Sequence, residues 1–240
     1  MVDFNSPKMN RAGLISIIVP VLNEDTTLKS TLELAFTQQR PHEIIVVDGG
    51  SDDSTLKIAK QFDCKIIKSE SGRGVQMNTG AEIAKGDIFL FLHADSHLPK
   101  KALLKMRQAV LDGFDYGSFT MRYDTLRPDY LYGAWVADSY CRVMNETFGD
   151  RAIFVTKAAF EKVGGYSEIK IMEDIDLSVR LKQSGFKMKL INGFVITSRR
   201  RFSNTSIWRA GWTSWKLLLD WHMERSLDQA SLDYYLKEKR

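Results

Sequence analysis

Cysteine is nearly missing from this 240-residue chain, which holds only Cys64 and Cys141. Two cysteines cannot build a disulfide framework or a four-cysteine zinc site. They read instead as reduced thiols of an intracellular protein. Five prolines and sixteen glycines are too few for a collagen-like or proline-rich architecture. No apolar run approaches the roughly 18 residues that cross a bilayer. The opening MVDFNSPKMNRAG lacks the apolar stretch of a signal peptide. A cytoplasmic protein is expected. The phosphate-binding signatures are missing too: there is no GxxxxGK[ST]. The first apolar strand runs into VLNEDTT, where a dinucleotide fingerprint needs a glycine.

A hydrophobic fraction of 44% and a charged fraction of 27% describe a globular chain able to bury a core. The net charge of +4 is unevenly placed. Met1–Ser198 carries 25 basic and 25 acidic residues, and Arg199–Arg240 carries nine and five. Four of the five tryptophans lie in that last segment. A nucleic-acid binder spreads basic residues over a working face, so no nucleic-acid partner is expected. Residues 1–198 are expected to form one domain, with 199–240 a basic, Trp-rich helical tail on it or extending from it.

Strand-like and helix-like segments alternate from Leu14 onward. LISIIVPVL, EIIVVD (Glu43–Asp48), CKIIK and DIFLFL (Asp87–Leu92) are short apolar runs separated by helical stretches. This predicts an α/β fold with a mostly parallel sheet flanked by helices. Further along, GSFTMRY, AIFVT, KMKLI and FVITS read as strands, and Tyr130–Asn145 and Met172–Ser184 as helices. Ligands of open α/β sheets bind outside the carboxyl ends of the strands. That points to Asn23–Glu24, Asp48–Asp53 and His93–His97.

In FLHADSHLP, His93, Asp95 and His97 are spaced by two and share one side if the chain stays extended. A carboxylate beside an imidazole can hold a divalent cation. Alternatively, Asp95 and Ser96 cap the next helix near Lys100. In IMEDIDLSVRL, Glu173, Asp174 and Asp176 suit the first turn of a helix through its dipole. One of them facing a cleft would serve as a general base. Arg73, in GRGVQMNTG at a helix start, can approach an anion.

Taken in order, ISIIVPVLNE, IIVVDGGSDDST, GRGVQMNTGA, KGDIFLFLHADS, the GGY of VGGYSE and IMEDIDLSVRLKQSG resemble the family 2 glycosyltransferases, in a small bacterial branch. The resemblance implies a GT-A fold and transfer of a sugar from UDP-sugar or another nucleoside-diphosphate sugar to an acceptor hydroxyl. It implies inversion at the sugar, and Mn2+ or Mg2+ as cofactor. It places Pro20, Asn23, Glu24 and Asp48 around the nucleoside, and Arg73 and Asn78 beside the base or diphosphate. Asp95 matches the last Asp of the metal-binding DxD and also contacts the donor, with His93 in place of the first Asp as the second metal ligand. Glu173 and Asp174 form the ED pair, Asp174 being the catalytic base. Gly49 stands where the second Asp of VDDGS is usual. SRRRF lacks the Gln and Trp of QxxRW, which implies a non-processive enzyme. A nucleotidyltransferase and a silent nucleotide- or partner-binding protein are the alternatives.

In the tail, Trp208, Trp212, Trp215 and Leu219 fall on one helical stripe with Met223 beside it, and Leu217 and Trp221 on the other side. Packing on the domain or a homodimer contact is the structural reading. The functional ones are an interfacial helix on anionic lipid at the inner face of a membrane, which would suit a lipid acceptor while leaving a saccharide acceptor open, or arginines reaching the donor diphosphate.

Overall fold

Seven consecutive residues of ISIIVPV are buried, which only a strand covered on both faces allows. In the computed structural model, which describes residues 13–199 and 207–223, this segment is β1 (Ile15–Val21). It lies inside a sheet of order β3-β2-β1-β4-β7-β6-β8-β5. The parallel half comprises β2 (His42–Asp48), β3 (Lys65–Lys68) and β4 (Ile88–Phe91), around β1. In the other half β6 (Tyr116–Tyr123) pairs parallel with β8 (Met188–Thr197). β7 (Ile153–Thr156) runs antiparallel between β4 and β6, and the two-residue β5 (Ser96–His97) closes the far edge on β8.

Helices cover both faces. On one side α1 (Leu28–Phe36) and α4 (Ala102–Leu111) bury Leu28, Leu32, Leu103 and Met106 against Ile17, Val19 and Leu90. On the other, α3 (Arg73–Ile83), α6 (Lys157–Lys162) and α7 (Glu173–Gln183) bury Met77, Phe160, Leu177 and Leu181 against Ile18, Val47 and Phe91. The short α2 (Thr55–Ala59) links β2 to β3. The expected α/β architecture is therefore present. It differs in one place: KMKLI and FVITS are not two strands but one, β8. The register slips between Phe119 and Met121, so the intervening Asn192–Gly193 pair is absorbed within the ladder rather than ending it. Gly193 N–H donates to Thr120 Oγ1 at 3.1 Å.

The cysteines are both free. Burial pushes the Cys64 thiol up to about 11 and the Cys141 thiol up to about 12, so both stay protonated at neutral pH.

α5 (Pro128–Met144) and α8 (Ile207–His222) lie outside these layers. α8 packs through Leu217 and Leu218, with Trp221 partly buried, onto Ile171, Met172 and Ile175. The buried Glu146 carboxylate pins it. That group accepts from Tyr140 Oη at 2.5 Å and pairs with Lys182 Nζ at 3.3 Å and His222 Nε2 at 3.1 Å. Packing on the domain is thus realised by the Leu217–Trp221 side. The tryptophan stripe faces solvent, with Trp208 62% and Trp212 72% exposed. Arg199 pairs with Asp124 at 3.8 Å. Arg200 and Arg201 lie outside the described residues, as does the tail beyond Met223.

Candidate active site

The ends of β1 and β2 are level, because Val21 is the register partner of Asp48. The loops that follow are stitched together. Asn23, held at φ +55°, donates its N–H to Ser51 Oγ and accepts from Asp52 N–H through Oδ1, both at 3.0 Å. Glu24 N–H donates to Thr55 Oγ1 at 2.7 Å, and its carboxylate accepts from Thr27 Oγ1 at 2.9 Å. Pro20 is buried near the end of β1, two residues past the last β4 partner of that strand, Ile18. Its missing N–H falls where the ladder to β4 has ended.

Asp48 is the most constrained of these groups, being 1% exposed. Its Oδ1 accepts from Ser51 N–H at 3.0 Å, while Oδ2 is buried with no partner among the described residues. A carboxylate oxygen is strongly penalised in that state, and such a group marks a place for a missing donor. Beside it, the buried Gln76 donates through Nε2 to Val21 O and Val47 O, each at 2.9 Å. A Cβ on Gly49 would lie 3.1 Å from that carboxamide. The glycine at this position therefore makes room for Gln76, which closes the β1–β2 ends from above.

α3 brings two further expected residues. Arg73 Nη1 lies 3.5 Å from Glu173 Oε1, so the cation and the first carboxylate of the ED pair face one another. Asn78 is engaged by the chain itself. Its Nδ2 donates to Tyr166 O at 2.8 Å and its Oδ1 accepts from Tyr166 N–H at 2.9 Å. It clamps the glycine–glycine–tyrosine loop onto α3. Gly165, at φ +73°, sits against this clamp, since a Cβ there would be 2.7 Å from Asn78 Oδ1. The Tyr166 hydroxyl is held protonated, first by burial and then by the carboxylates of Asp174 and Glu173.

The His93–His97 segment does not stay extended. Ser96 N–H donates back to His93 O at 3.0 Å, turning the chain at Ala94–Asp95. His97 thereby points away to α1, with Nε2 3.0 Å from Ser30 Oγ. The capping alternative fails as well, because the residue before α4 is Lys101, in the left-handed region and without a side-chain cap. The Nε2–Cε1 edge of the His93 ring instead lies against Gly149, opening a short 3-10 turn (Gly149–Arg151). A Cβ on Gly149 would be 2.9 Å from His93 Nε2 and 3.3 Å from Asp174 Oδ2. Asp174 itself is fixed by Gly149 N–H to Oδ2 at 2.6 Å and Ile175 N–H to Oδ1 at 2.8 Å. Gly149 is therefore where the β4 cluster meets the first turn of α7.

That turn sorts its three acidic residues. Glu173 is buried and faces Arg73. Asp176 is structural, pairing with Arg180 at 2.6 Å and accepting from Ser167 Oγ at 2.6 Å. Asp174 meets the β4 cluster. Sequence reasoning missed Gln76, Ser51, Gly149 and the buried Tyr166 hydroxyl. The lone glycine in FGD, just after a predicted helix, was the one signal for Gly149.

The fold is similar to those of solved glycosyltransferases. The mannosyltransferase PcManGT of Pyrobaculum calidifontis superposes with a TM-score of 0.72 at 16% identity, covering 98% of this chain and 71% of that one. Residues 1–349 of S. aureus TarS give 0.62 at 21% identity over 77% of this chain, which spans 60% of that fragment. The fold is thus that of the GT-A glycosyltransferases. In sequence, residues 16–159 match the Glycosyl transferase family 2 model. A PGL/p-HBAD biosynthesis glycosyltransferase of Mycobacterium bovis is 29% identical over 209 residues, 81% of this chain and 80% of its own. A poly(ribitol-phosphate) beta-glucosyltransferase of Bacillus spizizenii is 34% identical over 102 residues, 38% of this chain and 16% of that enzyme. The chain belongs to glycosyl transferase family 2. It is a glycosyltransferase, an enzyme that transfers a sugar, rather than a nucleotidyltransferase or a silent binder.

Proposed function

We propose that this enzyme transfers the sugar in a single inverting displacement, with Asp174 as general base and the donor nucleotide seated over the ends of β1 and β2. One observation carries the reading. Gly149 brings the His93–Asp95 turn and the Asp174 carboxylate together, although they are far apart in sequence. Donor diphosphate and acceptor hydroxyl then have separate carboxylates. The acceptor oxygen forms its bond to the anomeric carbon as the bond from that carbon to the diphosphate oxygen breaks. The bonding electron pair leaves with the diphosphate, and the acceptor proton passes to Asp174. Two backbone N–H groups already aim the carboxylate, so little reorganisation is needed.

The unpartnered Oδ2 of Asp48 supports a base with a ring N–H. Uracil and guanine have one, and cytosine and adenine lack one at the corresponding place. UDP and GDP-Man occupy two of the structural neighbours, which makes these donors the first to test. Arg73, at the N-terminus of α3, faces the diphosphate from its pair with Glu173. Asp95 suits Mg2+ or Mn2+, which proteins hold by one or two carboxylates while substrate phosphates complete the shell. Among the described residues no three His, Cys, Asp or Glu gather into a closed cage. A bound cation would supply charge neutralisation for the leaving diphosphate. The Nε2 edge of His93 is turned to Gly149 and Asp174, so His93 serves the meeting of the two clusters and Asp95 carries the cation.

Thermal melting with UDP, GDP, CDP and ADP, each with and without Mn2+, tests this. A ligand at a hundred times its Kd adds about 2.7 kcal/mol, or about 5–10 °C at this size. UDP or GDP is expected to give such a shift, with a further increment from Mn2+. Asp48→Ala removes the shift, and Asp95→Ala removes only the Mn2+ increment. Equal stabilisation by ADP, or none by any nucleotide, overturns the assignment.

A further inference from the structure

The exposed side of α8 is the more aromatic one. Trp208, Trp212, Trp215, Leu219 and Met223 all face solvent, while Leu217 and Leu218 hold the helix to the body. An amphipathic helix that only stabilised its own domain would turn the larger stripe inward. The face does not stop at α8. The Tyr132 ring of α5 lies 5.9 Å from both Trp135 and Trp208, joining the two helices into one apolar surface that also exposes Val136. Exposed apolar surfaces of this extent mark a contact with something else.

Charge decides what that is. Arg209 and Lys216 are exposed along one flank of the tryptophan stripe. Within α8 these two basic residues stand against a single acidic one, Asp220, which is less exposed. A symmetric contact between two copies would gather this same-sign charge at one interface, which is unfavourable. An anionic membrane accepts both features, with indole rings at the headgroup level and Arg and Lys on the lipid charge. Among the described residues no helix is long and apolar enough to cross a membrane. A 16-residue helix of this pattern lies in the plane of the interface.

We propose that the joined α5–α8 face docks the enzyme on an anionic lipid surface. The inner side of α8 packs on Ile171, Met172 and Ile175, which flank Glu173 and Asp174. Docking therefore sets the start of α7 close to the lipid, where a lipid-borne acceptor presents its hydroxyl. The docking itself does not depend on the catalytic assignment.

Flotation of the full chain with phosphatidylcholine vesicles, with and without about one-third phosphatidylglycerol, tests the proposal. The wild type is expected to float with the anionic vesicles, to stay below with the neutral ones, and to be released by high salt. Trp208→Ala with Trp212→Ala, and separately Arg209→Glu with Lys216→Glu, should each lower the partition coefficient about tenfold or more. Melting temperatures should fall by a few degrees at most, since Trp212, Arg209 and Lys216 face solvent and Trp208 loses its contact with the Tyr132 ring. Absence of flotation on anionic vesicles, or wild-type flotation by the double tryptophan variant, overturns the proposal. So does a dimer in light scattering that the double tryptophan substitution splits, which assigns the face to a second copy.

Discussion

Asp174→Asn is expected to lower turnover by about 10²–10⁴-fold, the range a positioned general base contributes. Two geometric facts make the substitution informative. Asp174 accepts one backbone N–H on each oxygen, from Gly149 and from Ile175. Asparagine has one oxygen for these two donors, so one N–H loses its partner, at about 1–3 kcal/mol. A fall of a few degrees in melting temperature therefore accompanies the loss of rate, and Asp174→Ala serves as a second reference. Nucleotide binding should survive, because Asp48, Gln76 and the Asn23–Ser51 loop pair are built from other elements. Initial rates and calorimetric titration with the nucleoside diphosphate separate the two. Wild-type turnover in a folded Asp174→Asn enzyme would remove Asp174 from the role of base.

The largest effect on stability is expected at Asp138. Arg151 is fully buried, and its guanidinium pairs with the Asp138 carboxylate through Nη1. Its Nε and Nη2 have no hydrogen-bond partner among the described residues, so Asp138 is the carboxylate that hydrogen-bonds the buried guanidinium, while Asp150 acts on it through space. Asp138→Ala removes that hydrogen-bonded partner at a cost of about 3–5 kcal/mol. For a chain of this size the melting temperature falls by about 6–20 °C, and chemical denaturation gives the energy directly. Replacing both partners, Asp138→Leu with Arg151→Met, should recover most of the loss, because two apolar side chains impose no desolvation penalty. Arg151 ends the 3-10 turn that Gly149 begins. The folded fraction of Asp138→Ala should therefore also turn over more slowly than the double variant. Equal stability of Asp138→Ala and wild type excludes this account of the pair.

The strands of the parallel half were legible because ISIIVPVL, EIIVVD and DIFLFL are unbroken apolar runs, a pattern that burial on both faces imposes. Their order placed Asn23, Glu24, Asp48 and Asp95 at one end of the sheet. What escaped depends on where side chains turn. The spacing of His93, Asp95 and His97 implied one shared side, yet a single backbone hydrogen bond from Ser96 to His93 bends the chain and sends the imidazoles apart. Nothing in the sequence showed that the backbone of Tyr166 offers the Asn78 amide a complementary donor and acceptor. Asn192–Gly193 looked like a strand break, and the ladder absorbed it through a register slip. In the tail, periodicity separated the Trp208 stripe from the Leu217 side correctly. It could not say which side met the body, because both are apolar.

The contact between His93 and Gly149 also limits what position 149 can carry. The imidazole edge occupies the space where a side chain at 149 would begin, so any larger residue there must turn the ring away or shift the 3-10 turn. A shifted turn takes with it the amide that aims Asp174. The smallest residue of the chain thus holds the tolerance to which the base is set.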